Sequence, residues 1–387
     1  MPGPSDHGAP ARDEEAARSG PAARTAVVGA GIVGLAAAHA LRARGADVTL
    51  YESGPPGGGQ SAGQGRIFRH AHEDPRLVAL VARSRALWRE WEQEFGLELI
   101  SPDGAVAIGD GVEDKLRTLE PFEEIPVRRL APEELHERLP LLAAWTGPAM
   151  LDVDGGAIRT LAAVAALTDR LEDAMLREHV LSVRRTDAGP VEVRTGTTCE
   201  TYDHVVLCAG RGTAPLARGA GLDLPVEVGA HVRLTFAVTP GGPAGRGLPT
   251  FQDGSGAFGE TGVYAAPYPD GRHFSVGLSA DTPARPDGGL ADPAALAALA
   301  DRTVAYVERA LPGLDPRPVD HVHCWVTRLP WGDDGVGIWS GDGLTALAGH
   351  NLFKQAPALG EALAETALTG AVPGHLHHGQ QLGRSAG

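Results

Sequence analysis

Residues 25–34 read Thr25-Ala26-Val27-Val28-Gly29-Ala30-Gly31-Ile32-Val33-Gly34; an Ala-rich run to Arg44 follows, then Gly45, then Val48-Thr49-Leu50-Tyr51-Glu52. The β-branched residues on either side read as strands, and the run between them as a helix that Gly45 ends. Gly29-x-Gly31-x-x-Gly34 therefore falls at a strand-to-helix turn. There the first glycine permits the tight turn, the second lets backbone approach a pyrophosphate, and the third lets helix pack on strand. The helix N-terminus then faces the phosphates. Glu52 closes the second strand, where an acid accepts from ribose hydroxyls and disfavours a 2′-phosphate. The unit predicts a dinucleotide site and leaves NAD and FAD both open.

Outward from this unit, a Gly-rich stretch covers 54–65. Arg76 to Phe95 is a long helical pattern with Leu77, Leu80, Val81, Leu87, Trp88 and Trp91 on one stripe. Residues 97–149 suggest a hairpin and an acidic, Leu-rich helical stretch. Helical patterns recur over 158–176, 294–311 and 357–368. Val205-Val206-Leu207-Cys208-Ala209-Gly210 and Leu344 to Leu347 read as buried strands. Val232-x-Leu234-x-Phe236-x-Val238 and Phe274-x-Val276-x-Leu278 alternate, as half-buried antiparallel strands do. Strand–helix–strand patterns thus sit at both ends and in the middle, with alternating strands between them. Two domains interleaved along the chain fit this order.

Composition removes other classes. The 387 residues carry 34 basic and 49 acidic side chains, a net charge of −15 with no basic block, so a nucleic-acid partner is not expected. At 43% hydrophobic and 21% charged the chain is globular. Cys199, Cys208 and Cys324 are too few for a disulfide framework and lack metal-ligand spacing, which favours a reducing, cytoplasmic setting and no metal site. Residues 1–23 and 373–387 are rich in breakers and read as disordered tails, the first without a signal-peptide core. No apolar run reaches the ~18 residues of a membrane span. The lysine count is unusual: only Lys115 and Lys354, against 32 arginines.

Further motifs follow in order: Arg66-x-x-Arg69-His70, Leu87-Trp88, Leu207-Cys208-Ala209-Gly210, His323-Cys324-Trp325, His350-Asn351-Leu352-Phe353-Lys354 and Ala367-Leu368-Thr369-Gly370. With the glycine fingerprint and Glu52, this series resembles the flavin amine oxidases typified by monomeric sarcosine oxidase, within the D-amino-acid oxidase superfamily, from about Thr25 to Gly370. The resemblance implies FAD, bonded through a thioether to Cys324, and oxidation of a carbon–nitrogen bond. It implies that Arg69 and Lys354 hold a substrate carboxylate and that Arg66 lies against the flavin. An Arg fork and a Lys point charge suit a carboxylate. Ile32, Val33, Ser61, Val183, Ala209, Gly210 and Phe353 complete the implied cofactor contacts, and His350 joins the catalytic set.

The implied fold is α/β. A Rossmann-like FAD-binding domain of glutathione-reductase type (24–97, 150–225, 324–372) is interleaved with an α+β substrate domain on a largely antiparallel sheet (98–149, 226–323). The implied partners are a small amine or amino acid and dioxygen or another acceptor, with a monomeric chain. Two departures matter. Where the family strand carries a lysine and a histidine on one face, this chain has Ser275 and Ser279, with His273 beside them. Dioxygen reactivity then either falls, as in a dehydrogenase, or uses another cation, such as His273 or Arg66. The segment before Lys354 is also spaced differently, which changes the pocket and makes sarcosine itself a doubtful substrate. Trp325, Trp331 and Trp339 either line an aromatic pocket or pack the core. Two other readings stay open: a flavoprotein acting on a hydroxy acid or tethered intermediate, and a flavin-binding remnant without turnover.

Overall fold

The protein, described by a computed structural model over residues 23–187, 189–240, 247–285 and 289–384, is built on two sheets that share one cleft. The first has six strands in the order Val336–Gly341, Leu344–Gly349, His204–Leu207, Arg24–Val28, Asp47–Tyr51 and Met175–Leu176. All its neighbours run parallel except the first pair. Its strands are apolar runs, as a sheet covered on both faces requires. Helix Ile32–Ala43 packs on helix Ala356–Thr369, and a Cβ at Gly360 would lie 2.6 Å from the Ala36 carbonyl carbon. Gly360 is thus the contact that lets the two helices approach. The N-terminal tail expected over residues 1–23 lies outside the described residues except for Ala23.

The second sheet has nine strands. Glu227–Ala237 is its centre, pairing along its length with Asp320–Arg328 on one side and with His273–Leu278 on the other. Val263–Pro267, Thr250–Asp253, Ala105–Ile108, Ala149–Asp152 and Val127–Arg129 continue the order. Every pairing is antiparallel except that of Thr250–Asp253 with Ala105–Ile108. Val232, Leu234, Phe236, Phe274, Val276 and Leu278 form one core with helix Pro293–Ala310. The expected alternation is there, but the opposite face is not in water. His231, Arg233 and Ser275 are also buried, because their face is the wall of the cleft, and Thr235 on that face is buried in a hydrogen bond with the Tyr268 hydroxyl.

Three expectations need correction. The boundary at 324 cuts the Asp320–Arg328 strand, which belongs to the large sheet as far as Arg328, and the Ala149–Asp152 strand lies in that sheet too. The segment expected to be a disordered C-terminal tail is ordered as far as Arg384. Breaker-rich composition hid its anchors, Leu376 and Leu382, which are buried in the core of the first domain. The Leu382 carbonyl accepts from Val336 N and Trp331 Nε1. Third, the helix expected over 158–176 is shorter, Thr160–Arg170, and Met175–Leu176 is the edge strand of the parallel sheet.

Candidate active site

The cleft holds a cavity of about 1480 Å³ walled by both sheets. That exceeds the roughly 300–1,000 Å³ of an ordinary ligand pocket and suits a dinucleotide together with a substrate. One end is the glycine turn. Gly29 has φ +101°, a conformation that excludes ordinary side chains, and its Cβ would strike the Cys208 carbonyl oxygen at 2.6 Å. Gly31, Ile32 and Val33 line the cavity. Gly34 sits behind them, where a Cβ would meet the Gly29 carbonyl oxygen at 1.9 Å, so it serves helix–strand contact. Ile32 N donates to Ser61 Oγ at 3.0 Å. The Glu52 carboxylate accepts from Ala30 N and from Gly54 N, each at 2.8 Å, which fixes it at the strand end facing the cleft. Ala209 and Gly210 line the same wall. Val183 does not. It is fully buried in a separate three-stranded sheet, and Val180 reaches the cavity instead.

At the middle of the cleft, Arg66 projects from strand Gly65–Phe68, and its Nη2 donates to the Gln60 and Ala62 carbonyls at 2.8 Å each. Burial and the neighbouring Arg233 guanidinium bring Arg66 down to about 10. Cys324 is buried on the adjoining wall. Burial alone would raise its thiol. The His231 imidazole, Arg233 and Arg66 outweigh burial and bring it down to about 5. Trp325 follows on the cavity wall, with the Arg211 guanidinium 4.5 Å from its ring centroid. Trp331 and Trp339 instead pack against each other in the core, so the aromatic cluster divides between pocket and core.

Beyond the arginine stands a charged group that sequence reasoning only half found. Lys354 is in the short turn Leu352–Gln355 that leads into helix Ala356–Thr369. Its carbonyl accepts from Ser84 Oγ at 2.7 Å and from Trp88 Nε1 at 2.9 Å, and Phe353 stacks with the Trp88 ring. Helix Pro75–Phe95 therefore fixes the turn. Lys354 Nζ donates to the Asn351 carbonyl at 3.2 Å. Burial lowers this amine to about 8, with Asp334 opposing and Arg69 reinforcing the shift. Asp334 belongs to none of the sequence motifs. It accepts from His72 Nδ1 at 2.8 Å and from Asn351 Nδ2 at 2.8 Å, and Arg69 lies 3.5 Å away. Burial opposes its ionisation, but His72, Lys354 and Arg69 hold it well below the usual carboxylate range.

His350 lines the cavity, and burial with the nearby His231 brings it down to about 3. His70 turns away to pair with Asp152 at 3.0 Å. Ser275 is buried on the wall, whereas Ser279 is exposed at its rim and donates to the Gly262 carbonyl. His273 is bound to Asp270 at 2.6 Å and does not reach the cavity, so it supplies no cation there. The other lysine, Lys115, does reach it. Burial and Arg69 lower it to about 8 against Glu73. Both lysines of the chain thus face one cavity.

The wall fits a polar cofactor. Gln60 Oε1, His72 Nε2, Thr213 Oγ1 and Arg233 Nε are buried cavity-lining atoms with no hydrogen-bond partner among the described residues. Buried polar atoms are normally satisfied, so such a set marks where a ligand's polar atoms go. A parallel nucleotide-binding sheet with an acid at its second strand, facing an antiparallel sheet across one cleft, defines a two-domain flavoprotein. A family model described as FAD dependent oxidoreductase matches residues 24–366, and the chain belongs to that family. It is 28% identical to a monomeric sarcosine oxidase from Streptomyces avermitilis, over 89% of this chain and 93% of the relative. Its fold is similar to that of NikD, an amino acid oxidase essential for nikkomycin biosynthesis (TM-score 0.76, 21% identity, 90% and 94% of the two chains). It is equally similar to L-proline dehydrogenase from P. horikoshii (TM-score 0.77, 21% identity, 91% and 95%). The protein is a sarcosine oxidase-like, FAD-dependent oxidoreductase.

Proposed function

We propose that the cleft oxidises the C–N bond of an amino acid, or of a related carboxylate-bearing secondary or cyclic amine, to an imine. In this reading the flavin is bonded to Cys324, and dioxygen is the terminal acceptor, leaving as hydrogen peroxide. The observation that carries it is a pair of clusters lining one cavity: Cys324 with Arg66, and Arg69 with Lys354. A cofactor ring held at the first pair meets a carboxylate held at the second. The sarcosine oxidase relative supports the amine.

FAD, when bound, supplies the two-electron acceptor. The chain does the rest by position and field. Arg69 and Lys354 take the carboxylate, which fixes the direction of the α-carbon. Asp334 pairs with Arg69 and His72 and supports the charge on Lys354, whose Nζ is held by the Asn351 carbonyl, so the carboxylate meets cations that are already placed. The amine must be neutral to be oxidised, and Arg66, Arg69, Lys354 and Lys115 disfavour an ammonium by like-charge repulsion. His350 and His72, both neutral at physiological pH, add polar surface without further charge. Trp325 and Phe353 add aromatic surface to the cavity lining.

The test is an anaerobic titration of the yellow holoprotein with secondary, cyclic and primary amino acids and with the matching hydroxy acids. Bleaching by an amino acid, with the imine or its hydrolysis product recovered, is expected. Bleaching by hydroxy acids alone would replace the amine by an alcohol. No bleaching by any of them would leave a flavin-binding protein without this activity.

A further inference from the structure

Arg233 is a buried cation on the wall of the cleft that neither the sequence motifs nor the mechanism above uses. It lies on strand Glu227–Ala237 opposite Gly277 of strand His273–Leu278. Paired residues in an antiparallel ladder share a face, and so do positions two apart. Arg233 therefore projects on the face that carries Ser275 and Ser279. Gly277 is the gap that admits it, since a Cβ there would lie 2.8 Å from Arg233 Cγ and 2.6 Å from the Tyr264 ring. The side chain crosses the sheet towards the Gly-rich loop. Its Nη2 donates to the Ala62 carbonyl at 2.8 Å and its Nη1 to the Gly65 carbonyl at 3.3 Å. Arg233 is only 4% exposed, and its Nε has no partner among the described residues.

What faces Arg233 is Arg66 from strand Gly65–Phe68, Tyr264 from strand Val263–Pro267, and Cys324 from strand Asp320–Arg328. His231 lies two residues away on its own strand. No carboxylate pairs with Arg233 among the described residues. The anion that faces it is the Cys324 thiolate, and that charge is consumed when the sulfur bonds the flavin. A guanidinium this deep is then costly to keep unless something electron-rich comes to it. Arg66 is held by backbone carbonyls too, but it projects from strand Gly65–Phe68 and not from the face that carries Ser275 and Ser279. Other cations of the cavity differ, and Lys115 faces Glu73. Arg69 lies beside Asp334, Asp334 also supports the charge on Lys354, and His72 and His350 are neutral.

We propose that Arg233 is the cation that serves dioxygen: a fixed positive charge beside the flavin that stabilises negative charge as it develops on the oxygen molecule. The inference rests on the flavin oxidase reading above. In the overall step dioxygen takes two electrons from the reduced flavin and two protons, one from the flavin and one from solvent, and leaves as hydrogen peroxide. The first electron puts a full negative charge on a small molecule in a low-dielectric cleft, where a pre-placed charge has its largest effect. Ser275 and Ser279, uncharged, cannot provide it. Arg233 stands between them on the neighbouring strand.

The test does not need the substrate. Holoprotein is reduced anaerobically with dithionite and mixed with dioxygen, and the oxidised protein is separately titrated with sulfite, an anion whose binding to flavin is read as bleaching. Wild type is expected to reoxidise well above the rate of free flavin. Arg233→Met is expected to slow this roughly a hundredfold, the scale of losing one pre-organised charge-stabilising group, and to weaken sulfite binding. Arg233→Lys keeps most of both. A variant that folds, reoxidises and binds sulfite like wild type overturns the proposal, as does a wild-type rate no faster than that of free flavin. Should Arg233→Met not fold, pH profiles of the wild type and of Arg233→Lys decide together. A wild-type fall with a midpoint near 8 would assign the role to a lysine and overturn the proposal; a wild-type rate flat from pH 6 to 9 that Arg233→Lys turns into one declining at alkaline pH assigns the charge to position 233 rather than to Arg66, and a rate that stays flat in Arg233→Lys overturns the proposal. Because dithionite replaces the amine, these results stand apart from the substrate titration, and each reading can fail alone.

Discussion

Asp334 Oδ2 lies 2.8 Å from His72 Nδ1, and Arg69 reaches the same oxygen at 3.5 Å. Basic groups at this end of the cleft are thus organised around one internal anion, and in the proposed function this is where a substrate carboxylate is held. Burial and Arg69 lower Lys354 to about 8, and Asp334 is the group that holds it up. Substrate carboxylate affinity is expected to decline as pH rises through about 8 and Lys354 loses its proton. Asp334→Asn removes the supporting charge, so this alkaline limb moves to lower pH. Profiles of kcat/KM against pH for both proteins check it; an unmoved limb would detach Asp334 from the lysine.

Lys354→Met tests the holder directly. Charge-assisted hydrogen bonds contribute about 1.5–3 kcal/mol, so KM for a carboxylate substrate should rise roughly tenfold to a hundredfold. The decarboxylated amine should lose little, because it has nothing for Lys354 to hold. Comparing the two substrates separates a lost contact from a disturbed turn, since disturbance would penalise both.

Cys324 is brought down to about 5 by His231, Arg233 and Arg66 against the effect of burial. A thiolate is the form that bonds carbon electrophiles. Flavin is therefore expected to stay with the acid-denatured wild-type chain and to separate from Cys324→Ala. His231→Asn should raise the thiol. With the exposed Cys199 replaced by Ala, the pH midpoint for alkylating Cys324 in flavin-free protein should move up. Flavin released quantitatively from the denatured wild type would remove the covalent link.

The dinucleotide half of the site was legible because it is local: Gly29, Gly34 and Glu52 lie within one strand–helix–strand unit whose spacing carries the geometry. Arg66, Arg69, Cys324 and Lys354, which line the cavity, stand in short sequence motifs. Arg233 and His231 do not. The alternation at Val232, Leu234 and Phe236 shows a two-faced strand, but nothing in it tells a solvent face from the cleft wall where His231 and Arg233 lie. Asp334 sits in Trp331-Gly332-Asp333-Asp334-Gly335, which looks like any acidic turn, and only the tertiary approach of His72 and Asn351 gives it a role. Lys115 was countable but not placeable, since nothing in helix Val112–Leu119 announces that it faces a cavity.

The neutral histidines of the wall make a prediction about stability. Burial, with Arg69 and Lys354, holds His72 at about 3, and burial with His231 holds His350 at about 3, against 6.5 in the unfolded chain. Above pH 6.5 neither state binds these protons, and the stability they allow is fully present. Between 6.5 and about 3 the unfolded chain binds protons that the native chain refuses, so stability is lost as pH falls. The slope should approach about 1.4 kcal/mol per pH unit for each histidine. Asp334, held low by the same cations, adds to the loss at the acid end of that window. Urea midpoints of the holoprotein, followed by flavin fluorescence, should therefore fall steadily from pH 6.5 towards 4. His350→Asn removes one titrating group and should flatten the fall by about 1.4 kcal/mol per pH unit over the upper part of the range, leaving the share of His72 and that of His204, which burial lowers to about 4. A midpoint level across the window, or a slope His350→Asn leaves unchanged, would mean that the imidazoles gain protons before the chain unfolds, through an opening of the cleft that the closed packing of His72 and His350 does not show.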